Sequence, residues 1–250
     1  MKARLPDDQQ TSGYHHWRCL TFLHWKVDAA DLRPLIPAGL EIDQFDGSAW
    51  LGLVPFSMER IRPWWSPAVP GISWFLETNV RTYVTDRRGT PGVWFFSLDA
   101  NQWIAVKLAR KFWHLPYEHA ALELNESYST SPPATNVNVR YSGTRRQDPS
   151  VRYDIEIEPA SASYSASPAG SLEEFLLERY ILFAERPGGR LFSGRVHHDP
   201  YQFVPAKVRA LSQTMTRPVV SNITTEQMPD HAAFSPGVHV RVSPIRALPD

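Results

Sequence analysis

Over residues 77–124 the order of hydrophobic and polar positions predicts strand, turn, strand, helix, strand. Val80, Tyr83 and Val84 are β-formers with Asn79, Arg81 and Thr82 between them, and Asp86-Arg87-Arg88-Gly89 followed by Pro91-Gly92 supplies turn chemistry. Val93-Trp94-Phe95-Phe96 is β-branched and aromatic. Adjacent side chains on a strand point to opposite faces, so this run implies burial on both. Asp99 is placed to cap a helix in which Ile104, Leu108 and Phe112 recur at i, i+4, with Lys107, Arg110 and Lys111 on the adjoining face. Leu115-Pro116 stops that helix, because the residue before a proline is pushed out of the α region, and an extended run begins at Tyr117. A helix held between strands of one sheet, with ionisable groups where the chain re-enters the sheet, can carry a buried site.

Upstream, residues 17–25 read as a strand, and Asp28 caps a short helix through Leu32 that Pro34 and Pro37 stop. Residues 40–43 form a brief strand, Asp46-Gly47 a tight turn, and 49–56 an apolar strand running on towards Ile61. Pro63-Trp64-Trp65-Ser66-Pro67-Ala68-Val69-Pro70-Gly71 is too broken to be regular. It is an aromatic loop, either a lid over a pocket or a loop stapled to the surface by its tryptophans. Downstream, 136–141 and 151–158 alternate as a hairpin with one solvated face, and 160–170 is a polar low-complexity loop. Ser171 and Glu174 have capping-box spacing at the head of a second long helix, set by Leu172, Phe175, Leu176 and Arg179 and ending before Pro187. Further strands are expected at 191–198, 201–204 and 238–242, and the chain before Gly13 reads as a loose arm.

Composition narrows the function classes. The chain has 250 residues, a hydrophobic fraction of 42%, and 26 basic against 26 acidic side chains. With no net charge there is no global field to gather nucleic acid or anionic lipid, and Arg87-Arg88 and Arg145-Arg146 lie in turn-like stretches where solvation is expected. Cys19 is the only cysteine, which excludes an intrachain disulfide and a cysteine zinc cage; its apolar surroundings suggest a buried, inert thiol. No apolar run reaches membrane-spanning length and the start has no signal core, so a cytoplasmic protein without membrane or nucleic-acid partners is expected. Nine tryptophans and 22 prolines favour strands joined by rigid loops over a helical bundle.

Several motifs together carry a family resemblance: Phe22-Leu23-His24-Trp25, Leu32-Arg33-Pro34-Leu35-Ile36-Pro37-Ala38-Gly39-Leu40, Asp46-Gly47-Ser48-Ala49-Trp50, Asn79-Val80-Arg81-Thr82-Tyr83-Val84, Leu115-Pro116-Tyr117 and Glu178-Arg179-Tyr180. The chain resembles the YqjF-like bacterial family of unknown function over nearly its whole length, and more distantly the acetoacetate decarboxylase superfamily over its first half. In the decarboxylases a lysine forms a Schiff base with the substrate ketone, and a neighbouring lysine depresses its pKa. Aligned on Pro116, this sequence has Tyr117 and Glu118 where those lysines stand, and neither can form an imine. Glu77 matches a pocket carboxylate and Arg18 an arginine for the substrate carboxylate; a second pocket glutamate has Trp50 as its nearest counterpart. Lys107 and Lys111, one helical turn apart, are the only near substitutes, and a solvated helix face is their plainer role.

The resemblance implies an α+β fold, an antiparallel cone- or barrel-like sheet with two main helices, expected as one domain over residues 1–250. It implies an interior pocket for a small anionic or keto/enol metabolite, without imine chemistry. Tyr117 and Glu118 are the candidate catalytic residues, and Arg18, Glu77, Arg110 and His119 the candidate ligand-binding ones. Arg18, Glu77 and Arg110 are expected to converge on one cavity with Tyr117 in its wall. Tyr117 and His119 share one side of the extended segment and Glu118 takes the other, but which side faces inward is open. No cofactor is expected. His197-His198-Asp199 has metal-ligand composition, yet adjacent strand side chains diverge, and no metal is expected either. Glu178-Arg179-Tyr180 is expected as a salt-bridge and packing unit. The rivals are an enzyme using altered acid–base chemistry on a keto or enol acid, and a structural protein whose pocket is filled by its own aromatic rings. A homo-oligomer is left open.

Overall fold

The computed structural model describes residues 11–128 and 137–248. Of the arm expected before Gly13, residues 1–10 lie outside these, while the Ser12 amide donates to the Val242 carbonyl at 2.7 Å and so continues a strand pairing. The chain is mostly strand. It runs β1 (Gly13–Val27), α1 (Ala29–Leu32), β2 (Leu40–Ile42), β3 (Ala49–Pro63), β4 (Phe75–Asp86), β5 (Pro91–Ala100), α2 (Trp103–Trp113), β6 (Tyr117–Tyr128), β7 (Val137–Arg145) and β8 (Arg152–Pro159). Then come α3 (Leu172–Leu177), β9 (Ile181–Arg186), β10 (Arg190–His197), β11 (Val204–Gln213), β12 (His231–Val242) and β13 (Arg246–Ala247).

The strands pair in the order β13-β10-β9-β5-β6-β7-β8-β11-β12-β1-β3-β4-β2, with β5–β4 and β10–β12 pairings in addition. The β5–β4 contact closes a nine-strand ring through β6, β7, β8, β11, β12, β1 and β3. The β10–β12 contact closes a second, smaller ring in which β9 and β10 bridge β5 to β12. Both rings share the wall β12-β1-β3-β4-β5, so that wall is buried on its two faces. This is why residues 49–56 read as an unbroken apolar run: each neighbour faces one interior or the other. Leu23, Trp25, Leu51, Leu53, Val80, Tyr141 and Ile155 belong to the core of the nine-strand ring. Leu20, Phe22, Trp50, Val54, Phe56, Tyr83 and Tyr201 belong to that of the second, under α3.

The sheet is mixed, not antiparallel as expected, because β5 pairs in parallel with both β6 and β9. A parallel neighbour needs a crossover, and α2 is the crossover from β5 to β6. Of the two main helices expected, α2 forms and α3 is shorter than expected. The Ser171 cap forms, its hydroxyl oxygen accepting from the Glu174 amide at 3.2 Å, but the Glu174 carboxylate accepts from the Gly170 amide at 2.6 Å, because the Ser171 amide is taken by the Pro168 carbonyl. Yet α3 ends at Leu177, and the apolar residues from Ile181 onward form β9 instead. Asp99 is not the cap of α2; it lies in β5, and the Gln102 side chain accepts from the Ile104 amide at 3.1 Å. The buried side of α2 is Val106 and Ala109, whereas Leu108 is exposed; the Phe112 side chain lies outside the described residues. Trp94, Phe95 and Phe96 are each half-buried; Phe95 packs into two clusters, Phe96 into two others, and Trp94 shares one of the latter. No helix among the described residues is long and apolar enough to cross a membrane.

One motif residue secures a loop, and one glycine makes close packing possible. Arg33 donates to the carbonyls of Ile36, Pro37 and Leu40, tying the turn between α1 and β2. Gly52 makes room in the shared wall: a Cβ there would stand 3.0 Å from His24 Cδ2 and 3.4 Å from Arg81 Cγ. Gly52→Ala is expected to cost about 1–3 kcal/mol by overpacking, read from urea unfolding. A loss below about 0.5 kcal/mol would mean that the His24 ring yields freely.

Candidate functional site

The motif Asn79-Val80-Arg81-Thr82-Tyr83-Val84 lies within β4, whose register against β3 is unbroken. Strand alternation therefore sends Glu77, Asn79, Arg81 and Tyr83 to one face and Leu76, Thr78, Val80 and Thr82 to the other. The first set faces the second ring. A row of polar groups thus enters an interior otherwise walled by Phe22, Val54, Phe56 and Tyr201. A buried polar group without a partner is costly, so each member has to be accounted for.

Glu77 and Tyr117 satisfy each other: the Tyr117 hydroxyl donates to Glu77 Oε2 at 2.7 Å. Both are buried among Leu98, Ala100 and Phe75. Burial pushes the Glu77 carboxyl up to about 7, the Tyr117 hydrogen bond pulls it down, and nearby Asp99 pushes it up again. Burial and the Glu77 charge hold the Tyr117 phenol far above its usual range. Further along, Arg81 donates to the Leu176 carbonyl at 3.0 Å and to the Tyr83 hydroxyl at 3.4 Å, with its guanidinium 5.7 Å from the Phe22 ring. Arg81 Nε and Asn79 Oδ1 are buried without a hydrogen-bond partner among the described residues.

The row ends in a buried histidine pair. The Tyr83 hydroxyl donates to the Leu176 carbonyl at 2.9 Å, so at its 2.7 Å contact with His24 it accepts from Nε2–H. A neutral His24 then has a bare Nδ1, which accepts from His231 Nδ1–H at 3.0 Å. Burial is the main cause holding His24 well below its ordinary pKa, with His231 and Arg81 adding to it. His231 is lowered as well, also chiefly by burial.

The expected convergence of Arg18, Glu77 and Arg110 does not occur. Arg18 is exposed and pairs with Glu59 at 3.6 Å. Arg110, on the exposed side of α2, pairs with Glu118 at 2.8 Å, and its Nε donates to the Tyr117 carbonyl at 2.5 Å. Neither touches Glu77. An arginine one turn from the end of α2 is held by the strand that follows, rather than reaching the interior. On β6, Tyr117 packs in the layer under α2, while Glu118 is half-buried and its carboxylate turns to Arg110 of that helix. His119 lies half-buried on the Tyr117 side, and its carbonyl accepts from the Arg146 amide at 2.9 Å.

Arg145, expected in solvent, forms a bidentate pair with Asp99, at 2.9 Å from Nε and 2.8 Å from Nη2, and Asp99 is 1% exposed. Lys107 is exposed with its ammonium 4.7 Å from the Trp103 ring centre. Glu178-Arg179-Tyr180 is the packing unit expected: Arg179 pairs with Asp43 at 2.7 Å and donates to the Phe175 carbonyl, while Glu178 accepts from the Tyr180 hydroxyl and the Tyr201 amide. It follows α3 instead of lying on it. The aromatic loop is not stapled by its tryptophans, since Trp64 and Trp65 are 64% and 71% exposed. Cys19 is buried, and its thiol donates to Glu126 at 3.2 Å. Among the described residues no group of three or more His, Cys, Asp or Glu side chains is placed to hold a metal ion.

Asn79, Arg81, Tyr83, His24 and His231 were not among the candidates read from sequence. The available signal was the period of two in Glu77, Asn79, Arg81 and Tyr83, which puts consecutive polar groups on one face of a strand otherwise rich in β-formers.

This closed, mostly-strand barrel with few helices matches the fold of acetoacetate decarboxylase-like proteins. An acetoacetate decarboxylase-like enzyme from Sphingomonas wittichii RW1 is similar over 100% of this chain and 99% of its own, with a TM-score of 0.66 and 14% identity. The enduracididine biosynthesis enzyme MppR, solved with pyruvate, is similar over 100% and 98%, at 0.64 and 13%. The acetoacetate decarboxylase of Legionella pneumophila is similar over 99% and 91%, at 0.61 and 11%. Within that architecture the chain belongs to DUF2071, a family described as uncharacterized conserved protein, which it matches over residues 14–239. It is 35% identical over 200 residues to the uncharacterized protein YqjF of Bacillus subtilis (strain 168), spanning 80% of this chain and 78% of that one.

Proposed function

We propose that the second ring binds a small keto or enol acid along the β4 row, with its carboxylate at Arg81 and its keto or enol oxygen at the Glu77–Tyr117 pair. The observation that carries this reading is the row itself. Four alternate polar residues face an apolar interior, and two of their polar atoms, Asn79 Oδ1 and Arg81 Nε, lack partners among the described residues. A planar carboxylate would accept from the free side of the guanidinium, and a ligand hydroxyl would donate to the Asn79 carbonyl. Glu77, with a pKa raised to about 7, is poised to give or take a proton from such a ligand. The similarity to a protein solved with pyruvate supports the ligand class. Arg81 thus takes the part first expected of Arg18 and Arg110.

Calorimetric titration with pyruvate and acetoacetate tests the reading. Binding is expected, and Arg81→Gln is expected to weaken it at least tenfold, the loss of one charge-assisted contact at about 1.5–3 kcal/mol. Proton transfer is read separately, as deuterium uptake at the ligand carbon next to the ketone (the pyruvate methyl, the acetoacetate methylene) above the enzyme-free rate, which Glu77→Ala abolishes.

A second reading has its own observation. Phe22, Trp50, Phe56, Tyr201 and Phe203 pack together in the same ring, a structural core filled by its own aromatics. Absence of binding by any keto acid, with Arg81→Gln altering stability alone, would favour it.

A further inference from the structure

Where β1, β3, β10 and β12 come together, a cavity of about 830 Å³ opens that shares no lining residue with the β4 row. Its charge is one-sided. Arg60 and Arg62 from β3 and Arg241 from β12 line it, against the single carboxylate of Asp199. With neutral imidazoles this leaves a formal excess of two positive charges. The nearest other carboxylate on these strands, Glu59, is engaged by Arg18. Arg62 lies 4.5 Å from the Tyr14 ring centre, which fixes its guanidinium. Arg60 and Arg241 make no ion pair among the described residues.

The histidines add direction. His15 and His198 line the cavity, and His15 Nδ1 and His198 Nε2 are buried within that lining without hydrogen-bond partners among the described residues. His198 Nδ1 stands 2.7 Å from the Asp199 carbonyl, which can only accept, so Nδ1 carries the proton. Burial holds His198 at about 4, so its ring is neutral at pH 7 and Nε2 is a bare acceptor. His16 and His239 stack at 4.1 Å, giving one side of the cavity a flat wall. Three cations and an unpaired buried acceptor in one lining call for a ligand that is doubly negative yet still has an O–H to donate. Sulfate and dicarboxylates at neutral pH have the charge but no such hydrogen.

We propose that this cavity is a binding site for a phosphate-class dianion carrying a hydroxyl, held by Arg60, Arg62 and Arg241 and donating to His198 Nε2. Hydrogenphosphate is the minimal ligand of that kind, and a hydroxylated phosphate ester is the fuller one. The site is independent of keto-acid binding at Arg81.

The test is titration of the full chain with inorganic phosphate at pH 7.5, by calorimetry and thermal unfolding, with sodium chloride at matched ionic strength and sulfate and succinate as comparison anions. Phosphate is expected to give a saturable rise in Tm beyond that in chloride, and to bind several-fold tighter than sulfate or succinate. Arg241→Gln and Arg60→Gln, each shown folded by its ligand-free Tm, are expected to weaken phosphate at least tenfold. Arg88→Gln, in the β4–β5 turn, should leave it unchanged. A phosphate shift no greater than that of chloride overturns the proposal. Binding within twofold of wild type in both arginine variants overturns the site. Sulfate binding as tightly as phosphate overturns the hydroxyl-donating class.

Discussion

Glu77→Gln is expected to stabilise the protein at pH 8 by about 3 kcal/mol and to leave it nearly unchanged at pH 4. The folded carboxyl titrates near 7 and the unfolded one near its ordinary 4.5, so between those values the folded state binds the extra proton. Stability from this group is fully present below 4.5 and is lost as the pH rises through 7. Glutamine keeps an oxygen to accept from Tyr117 and never ionises. The buried histidines act in the opposite sense: His15 and His198 are held at about 4, so the unfolded chain takes up protons that the folded one refuses, and stability falls as the pH drops below 6.5. Subtracting the wild-type profile from that of the variant cancels the histidines. Urea unfolding across pH 4–8 should give a difference curve that climbs through 4.5–7 and then levels. A flat difference would mean that Glu77 ionises as it does in water.

Arg145→Met is expected to cost about 3–5 kcal/mol, because it strands Asp99 as an unpaired charge at the buried junction of β5 and β7. Burial already pushes the Asp99 pKa up despite the pair, so without Arg145 the carboxyl would hold a proton more firmly still. The loss should therefore be greater at pH 8 than at pH 5. The double variant Asp99→Asn/Arg145→Met should recover much of it, since an uncharged amide costs less to bury. A single-variant loss below about 1 kcal/mol would show that water reaches Asp99 and the pair is effectively a surface one.

The same residue shows where sequence reading stops. Arg145-Arg146 looks like solvated turn chemistry, and Asp99 looks like a helix cap, because a local window sees only neighbours in the chain. Their partnership spans 46 positions and exists only because β5, β6 and β7 lie side by side. The missed β4 row differs in kind. Its period of two was in plain view, but polar residues alternating on a strand normally face water. Only closure of a second ring over that face turns Glu77, Asn79, Arg81 and Tyr83 inward. Arg18 and Arg110 failed in the reverse way: each was expected to reach the interior, and each found an acidic partner at the surface first.

What the sequence by itself determined is local and short in range. The order strand, turn, strand, helix, strand over residues 77–124 is realised as β4 to β6, the Asp28 cap forms at 2.8 Å, and the Ser171 cap forms at 3.2 Å. These follow from side-chain period and from hydrogen bonds made within a few residues, which the chain carries wherever it folds. Tertiary structure decided the rest: the parallel placement of β6 and β9 on β5, the end of α3 at Leu177, and which face of each shared strand meets which interior. The physical reason is that a strand leaves its backbone hydrogen bonds to be made by other strands. Its neighbours, and with them the burial that raises Glu77 to about 7, are settled only when the rings close.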